Sequence, residues 1–420
     1  MWSDKRHQQE KSLNFYQLCR ICNSPDIETA IKLKATPPAD MFLPVEQAQA
    51  SIETYPLELA LCMNCGYVHL PWVLNPDLIY PEFSYKTSTT VGLPEHYVGY
   101  ADELFQLVPI GHLDLVVDIG SNDGSFLKAF EKTKARRLGV EPGRRIAEVA
   151  NRSVPTLCGY FEDELVGEIL RKEGKAKLVT VNYTYANVEN ILDFTKNVKR
   201  LLAEDGLFVV QTGYHPDQMK ILMFDYIYHE HLSYFTVGVL QKLFQMSGLE
   251  LISVSRNSMK GGSIRIVAQH SGGRRDVTDS VRDMSVEEES LEVEKISTYH
   301  KFSKVINEKG IALRSMLDDI KKSGNQIVGY GASHSTTTLL HHFKIADYFD
   351  YLVDDNPVKQ GTVSPGYHLP VYSPARLYEE KVNYIAILAW QHAESILSRN
   401  TELSISGKKF IVPLPSPQVC

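Results

Sequence analysis

Three groups of residues in this chain are of types and at spacings that do chemistry. The first is two C-x-x-C pairs, Cys19 with Cys22 in LCRIC and Cys62 with Cys65 in LCMNCGYVHL. Two such knuckles together supply the tetrahedral four-thiolate set that structural zinc prefers, and four thiolates leave no open position for metal catalysis. In a reducing compartment structural disulfides are rare, so the pairs ask for one zinc rather than two disulfides or a redox dithiol. The second group is the loop D-I-G-S-N-D-G, containing Asp118, Gly120, Asn122, Asp123 and Gly124, followed by Glu141. A dinucleotide fingerprint needs a middle glycine where backbone approaches a pyrophosphate, and here that position is Asn122. The acidic loop suits a cationic ligand carrying an amino acid and a ribose, and S-adenosylmethionine is such a ligand. Glu141 is placed to accept hydrogen bonds from ribose hydroxyls. The third group is Tyr228, His229, Glu230 and His231 within FDYIYHEHLSYFT. The two histidines are two apart, which is not the H-E-x-x-H metal spacing. An imidazole is the commonest general base near neutrality, and four adjacent polar residues in an aromatic segment are costly to bury without a purpose.

These groups need elements to hold them. LDLVVDIG (113–120) reads as a buried strand, SNDGSFLKAFEK continues into a helix, and RRLGVEPG (136–143) is the next strand. AKLVTVNY (176–183) is a further strand, VENILDFTKNVKRLLAE an amphipathic helix, and DGLFVVQTGY a strand again. The alternation predicts a doubly wound parallel sheet whose ligand sits at the carboxyl ends of the strands, with the 228–231 cluster just beyond strand 207–213. Before it lies a loop-rich N-terminal unit punctuated by PPADMFLPVEQAQ, which zinc would staple. After GGSIRIVAQH the composition turns polar and reads as exposed connecting helices, with Glu287, Glu288 and Glu289 as a solvated face. A second α/β unit begins at NQIVGYGASHSTTT and includes YFDYLVDD, VNYIAILAW and KKFIVPLP. The predicted fold class is α/β, with a zinc-binding domain (1–75), a central Rossmann-like domain (76–271), connecting helices (272–322) and a second Rossmann-like domain (323–420).

Composition narrows the function classes. The chain has 420 residues, which at roughly 150 per domain suggests about three domains. With 43% hydrophobic and 23% charged residues it is an ordinary globular protein, not a disordered or fibrous one. Its net charge of -7 disfavours nucleic acid as the main partner. The polar N-terminus and the absence of a long apolar run argue against a secretion signal and a membrane span, and the expected location is cytoplasmic.

The motifs C-x-x-C twice, DIGSNDGSFL, GVEP, FDYIYHEHLSYF, GGSIR, GYGAS, VDDNPVKQG, PGYHLPVYSP and KFIVPLP, in that order, resemble the three-domain C-methyltransferases of nucleotide-linked keto-deoxysugars. LLAEDGLFVVQ likewise resembles a strand entry of class I methyltransferases. The resemblance spans nearly the whole chain. It implies a zinc-binding domain, a central S-adenosylmethionine-dependent methyltransferase domain and a C-terminal Rossmann-like domain, with the sugar bound between them. It implies that the YHEH stretch is catalytic, with His231 removing the proton beside the keto group and Tyr228, His229 and Glu230 around it. It also marks departures. Tyr183 and Asn187 stand where the family has an asparagine and a histidine, Lys260 stands where a histidine commonly precedes GGS, and HSTTT follows GYGAS-like sequence where a lysine and a glycine are usual. The acceptor pocket is therefore expected to involve Tyr183, Asn187 and Lys260, with Tyr85, Lys86, Arg256 and Arg265 as further candidates for the substrate and its diphosphate.

Three other readings remain open at this level. An O- or N-methyltransferase would use the same base on a hydroxyl or amine. A nicotinamide-dependent oxidoreductase is suggested by Gly329 and Gly331 with Asp354 and Asp355 downstream, although the glycine-rich continuation is missing. A zinc-ribbon adaptor is disfavoured by the few basic residues near the cysteines.

Overall fold

The computed structural model describes residues 12–50, 52–79, 87–89, 92–379 and 381–420. Tyr85 and Lys86 lie outside the described residues. The N-terminal unit contains strands β1 (Ile27–Lys32), β2 (Glu58–Cys62) and β3 (Val68–His69), each antiparallel to the next. The two knuckles repeat one turn. Asn23 N–H donates to the Cys19 carbonyl and Gly66 N–H to the Cys62 carbonyl, each at 2.9 Å, and both donors have left-handed φ, 57° and 79°.

Helix α1 (Leu93–Leu107) leads into the central sheet, with Pro94 in its first turn, where a proline costs no hydrogen bond. The chain then forms β4 (Leu115–Ile119), the one-turn helix α2 (Ser125–Lys128), β5 (Arg136–Glu141), β6 (Thr156–Cys158), β7 (Ala176–Asn182), α3 (Ile191–Leu201) and β8 (Leu202–Gly213). The short strand β9 (Ser233–Tyr234) precedes α4 (Val237–Met246), β10 (Leu249–Asn257) and β11 (Ser263–His270). The seven-stranded order is β10-β11-β8-β7-β4-β5-β6. One strand departs from the expected all-parallel run: β11 is antiparallel to both β8 and β10, because a tight turn at 259–262 returns the chain where a crossover helix would otherwise be needed. Alternation along the strands sorts the core. Val116, Leu178 and Val209 pack with Tyr97, Tyr100 and Leu104 of α1 on one face. Val117, Val179 and Val210 pack with Phe194, Leu240 and the cysteine cluster on the other.

Strand β9 is not part of the central sheet; it pairs antiparallel with β3, so the N-terminal sheet runs β9-β3-β2-β1. The polar region after β11 forms α5 (Asp279–Ser290) and the 27-residue α6 (Ile296–Lys322). These helices are not simply exposed connectors. Tyr299, Phe302, Ile306, Leu313, Leu317 and Ile320 form a stripe along α6 at helical spacing, buried in one core with Ile31 and Leu59 of the N-terminal sheet and Val328 and Leu340 of the C-terminal unit. That last unit contains β12 (Ile327–Tyr330), α7 (His334–Phe343), β13 (Leu352–Val353), β14 (Val371–Tyr372), β15 (Tyr384–Ile387), β16 (Lys409–Val412) and β17 (Gln418–Val419), in the order β14-β13-β12-β15-β16-β17. The proline-rich stretch of the N-terminal unit docks here, with Leu43–Pro44 pairing with Thr362–Val363. No helix among the described residues is long and apolar enough to cross a membrane.

Glu288 is a correction to the reading of a solvated acidic face. It is buried, accepts hydrogen bonds from the Val237 and Gly238 N–H groups at 2.5 and 3.0 Å, and accepts another from the Tyr214 hydroxyl at 2.8 Å. It thus supplies from α5 the acceptors that the first turn of α4 lacks. Glu288→Ala would leave those donors buried and unsatisfied, at a cost of about 2–4 kcal/mol. The expected result is faster amide exchange at Val237 and Gly238 and a lower urea midpoint, with Glu288→Gln retaining part of the loss; exchange unchanged in Glu288→Ala would refute the capping role.

Candidate active site and zinc site

The loop after β4 is shaped by its backbone. Gly120 has φ of 71°, and a Cβ there would lie 2.2 Å from Thr184 Oγ1. Asn122 is also left-handed; its N–H donates to Glu141 Oε2 at 2.9 Å, while Gly143 N–H donates to Oε1 at 2.8 Å. Burial raises the Glu141 carboxyl above its ordinary range. Each Glu141 oxygen keeps a second lone pair beyond its backbone bond, and Gly120, Asn122 and Glu141 all line one cavity of about 710 Å³. Asn182, which the sequence did not single out, lines it too and carries a buried Oδ1 without a partner. An orphaned acceptor beside an acidic side chain fits a ligand that presents an ammonium and ribose hydroxyls, so the residues fit S-adenosylmethionine.

Asp118, Asp123 and Gly124 do not line that cavity. Asp118 Oδ1 accepts from Thr180 at 2.7 Å and from Asn182 Nδ2 at 3.0 Å, and burial pushes its carboxyl up to about 7. Its place is therefore behind Asn182, orienting the amide so that Oδ1 is left to face a ligand. Asp123 accepts from Ser125 and from the Ser88 N–H, and so ties down the loop. Gly124 opens α2 with φ of 76°.

Opposite the loop, Tyr228, His229, Glu230 and His231 all line the same cavity, on a turn rather than a helix. His229 Nε2 lies 3.2 Å from the Pro56 carbonyl, so that nitrogen carries the hydrogen and Nδ1 offers only a lone pair. Burial lowers His229 to about 4 and His231 to about 3, the Lys260 ammonium adding to the effect at His231. Both imidazoles are therefore neutral at working pH. His231 Nδ1 has no partner, and its ring lies 4.7 Å from that of Tyr234 and 5.8 Å from that of Tyr228. Burial raises Glu230, and neither of its oxygens has a hydrogen-bond partner.

Tyr183, Asn187 and Lys260 line the cavity as well. Arg265 and Arg256 do not. Arg265 lies under the sheet end with its guanidinium 3.6 Å from the Tyr100 ring centre, bonded to Gln211 Oε1 and paired with Glu103. Arg256 is engaged with Asp217 and Glu287 on the surface. The C-terminal unit completes the wall with Ser333, His334, Gln391 and His392, residues whose long-range approach no local motif signals. The glycines of IVGYGAS are used in packing. A Cβ on Gly331 would lie 2.6 Å from the Ala389 Cβ and 2.7 Å from its nitrogen, which closes the backbone approach a dinucleotide pyrophosphate requires. Asp354 is meanwhile engaged by the Ala332 and Asn356 N–H groups.

On the far side of the central sheet the four cysteine sulfurs lie within 4.8 Å of one another. Cys19 and Cys65, and Cys22 and Cys62, are 3.6 Å apart. With metal–sulfur bonds of about 2.3 Å a tetrahedral edge is about 3.8 Å, so the set fits zinc held by Cys19, Cys22, Cys62 and Cys65. The Ile21 N–H and the Asn64 amide point at sulfurs of the cluster, at 3.4 Å each, as donors that stabilise thiolates.

Two outcomes are expected. Metal analysis of the purified protein should find one zinc per chain, and chelation or Cys62→Ser should unfold the N-terminal unit, since such sites contribute roughly 10–16 kcal/mol; four freely titratable thiols and no zinc would contradict this. In calorimetric titration with S-adenosylhomocysteine, Gly120→Ala and Glu141→Ala should each weaken binding by about tenfold or more, the first through the clash with Thr184 and the second by removing a charged acceptor. Parent-like affinity in both would mean that the ligand lies elsewhere.

Comparison with known proteins agrees with this arrangement. Residues 19–80 match the family model of a zinc binding domain, 100–254 that of a methyltransferase domain, and 258–415 that of a C-methyltransferase C-terminal domain. The chain is 31% identical to C-methyltransferase NovU of Streptomyces niveus over 403 residues, 96% of each protein. Among solved structures, an S-adenosylmethionine-dependent methyltransferase from Clostridium acetobutylicum (11% identity, 42% of this chain and 91% of that one, TM-score 0.35) and the CcbJ methyltransferase of Streptomyces caelestis (14%, 46% and 94%, 0.34) are similar to part of it. A likeness that runs the length of both chains, with all three domain models in order, shows that this chain belongs to the S-adenosylmethionine-dependent C-methyltransferases with a zinc-binding N-terminal domain.

Proposed function

We propose that the protein methylates a carbon beside the ketone of a nucleotide-linked deoxysugar, with His231 as the base that removes the α-proton. The observation that carries the reading is one cavity bordered both by Gly120, Asn122, Asn182 and Glu141 and by Tyr228, Glu230 and His231. Its 710 Å³ is in the upper part of the usual range for ligand pockets, about 300–1,000 Å³, and walls from three units suit an extended acceptor.

A carbon becomes nucleophilic as an enolate, and a base within hydrogen-bond reach of the α-proton makes one. His231 is kept neutral by burial, so its lone pair is available at every working pH. Its low proton affinity comes first from burial and then from the Lys260 charge. An enolate forming beside it would favour the imidazolium and raise that affinity. Tyr228 is the neutral donor on hand for the enolate oxygen. His229 is not, because its Nε2–H is taken by the Pro56 carbonyl. S-adenosylmethionine, held by Gly120, Asn122, Asn182 and Glu141, supplies an electrophilic methyl group. The protein's remaining task is to hold the acceptor carbon at that methyl and exclude water.

The test uses thymidine-diphosphate-linked 4-keto-6-deoxyhexose in heavy water with S-adenosylhomocysteine bound. The parent enzyme should exchange the α-hydrogen for deuterium, and His231→Ala should lose both exchange and methylation by roughly 100-fold to 10,000-fold while keeping cofactor affinity. Tyr228→Phe should lose less. A His231→Ala enzyme exchanging at the parent rate would give the base role to Glu230 or His229. Exchange absent in the parent would favour methylation of oxygen or nitrogen.

A further inference from the structure

We infer that Lys260 is a catalytic residue whose ammonium is the electrostatic partner of the enolate oxygen formed when His231 takes the α-proton. The inference rests on the enolate reading above and adds to it the group that holds the charge.

Lys260 and His231 border the same cavity. Lys260 sits on the turn at 259–262 with φ of 50°, followed by Gly261 at 79° and Gly262 at 114°. A left-handed lysine between strands is strained and persists only where its surroundings hold it, as they do here. Tyr214 N–H donates to the Gly262 carbonyl at 3.2 Å, the Ser263 hydroxyl to the Met259 carbonyl at 2.8 Å, and Met259 N–H to Asn257 Oδ1 at 3.1 Å. Any Cβ on Gly261 would lie 2.5 Å from Met223 Sδ, so the turn is pressed onto the chain that leads to the YHEH segment. The ammonium itself lies 4.1 Å from the centre of the Tyr183 ring. Tyr183 is in turn fixed by Gln211, whose amide donates to its hydroxyl at 3.0 Å and whose other atom meets Arg265.

A cation in the same cavity as a catalytic base is a handicap to that base. The Lys260 charge helps to hold the buried His231 imidazole at about 3, because it opposes the imidazolium. The placement becomes useful only if the same step creates a negative charge between them. Enolisation does so: the C–H bond breaks, the proton bonds to a nitrogen of the His231 imidazole, and the electron pair moves through the carbon to the ketone oxygen. One positive and one negative charge appear together, and no oxidant or further reactant is needed. The neighbours leave this role open. His229 offers a lone pair, and Tyr228 a neutral hydroxyl, which makes a weaker bond to an oxyanion than a charged donor does.

The experiment compares the parent with Lys260→Met and Lys260→Arg, using the same keto-sugar nucleotide and S-adenosylhomocysteine in heavy water, with circular dichroism and thermal unfolding to establish that each variant is folded. Lys260→Met should lose about 100-fold to 1,000-fold in both exchange rate and kcat for methylation, keep S-adenosylhomocysteine affinity within about twofold, and show the acidic limb of its exchange profile at higher pH. Lys260→Arg should recover part of the rate. Unchanged exchange and kcat with a raised KM would make Lys260 a binding contact and overturn the inference while leaving the enolate intact. A parent that does not exchange would remove the enolate reading and this inference together, and the parent alone reveals that outcome.

Discussion

The hydrogen bond from Arg20 to the carbonyl of Leu232, at 2.7 Å, joins the cysteine cluster to the segment that carries His231. Arg20 lies inside the first knuckle, between Cys19 and Cys22, and its other nitrogen donates to the Glu189 carbonyl at 2.8 Å. The residue it grips follows His231. The same short segment is gripped elsewhere: Leu232 N–H donates to Ala186, Leu70 N–H to Leu232, and β9 pairs with β3. From the C-terminal unit Thr338 donates to the Ile227 carbonyl at 2.8 Å, and Trp390 and Gln391 donate to Asp225 at 2.8 and 3.1 Å. A turn has no ladder of its own to keep it rigid, so its rigidity has to come from its neighbours, and here all three units supply it. Loss of zinc would therefore be felt at His231 through Arg20, although four thiolates can do no chemistry themselves.

Burial dominates the electrostatics of this centre. His215 and His231 are lowered to about 3 and His229 to about 4, while Asp118 and Asp225 are raised to about 7, with desolvation the leading cause for each. The consequence is that His229 and His231 are uncharged at rest and that charge created by reaction beside them is screened little by water. Such a site favours steps that create opposite charges side by side and penalises isolated ones. A proton passed from a carbon acid to a neighbouring imidazole is a step of the favoured kind.

What the sequence made legible was local. The cysteine spacing, the Gly120 loop with Glu141 at the next strand end, and the apolar runs of β4, β7 and β8 all act within a few residues of themselves, so their types and intervals carry the information. Asn182 was missed because its role depends on Asp118 across the sheet taking its amide nitrogen. Arg265 was assigned to the acceptor because a basic residue near a site suggests a phosphate, yet its partners Glu103 and Tyr100 come from α1, far away in the chain. Glu288 looked like its exposed neighbour Glu289, and only the packing of α5 against α4 separates the two. The antiparallel course of β11 follows from a turn with three left-handed residues, one of which is a lysine that no turn preference would place there.

Lysine at that position leads to a wider regularity. Asn122, Tyr183 and Lys260 are non-glycine residues with positive φ, at 49°, 59° and 50°, and all three border the cavity. Asparagine tolerates this conformation, but for tyrosine and lysine it costs on the order of 1–2 kcal/mol each. Glycine would remove that cost, so what the side chains do in the cavity has to outweigh it. For Asn122 the gain is its side-chain Oδ1, which accepts from the Thr87 N–H at 2.8 Å. For Tyr183 and Lys260 it is a cation seated on an aromatic face beside a neutral imidazole, and each strained backbone aims one member of that pair. The strain at Tyr183 and Lys260 is therefore held where their two side chains meet at the cavity wall, outside the strands of the central sheet.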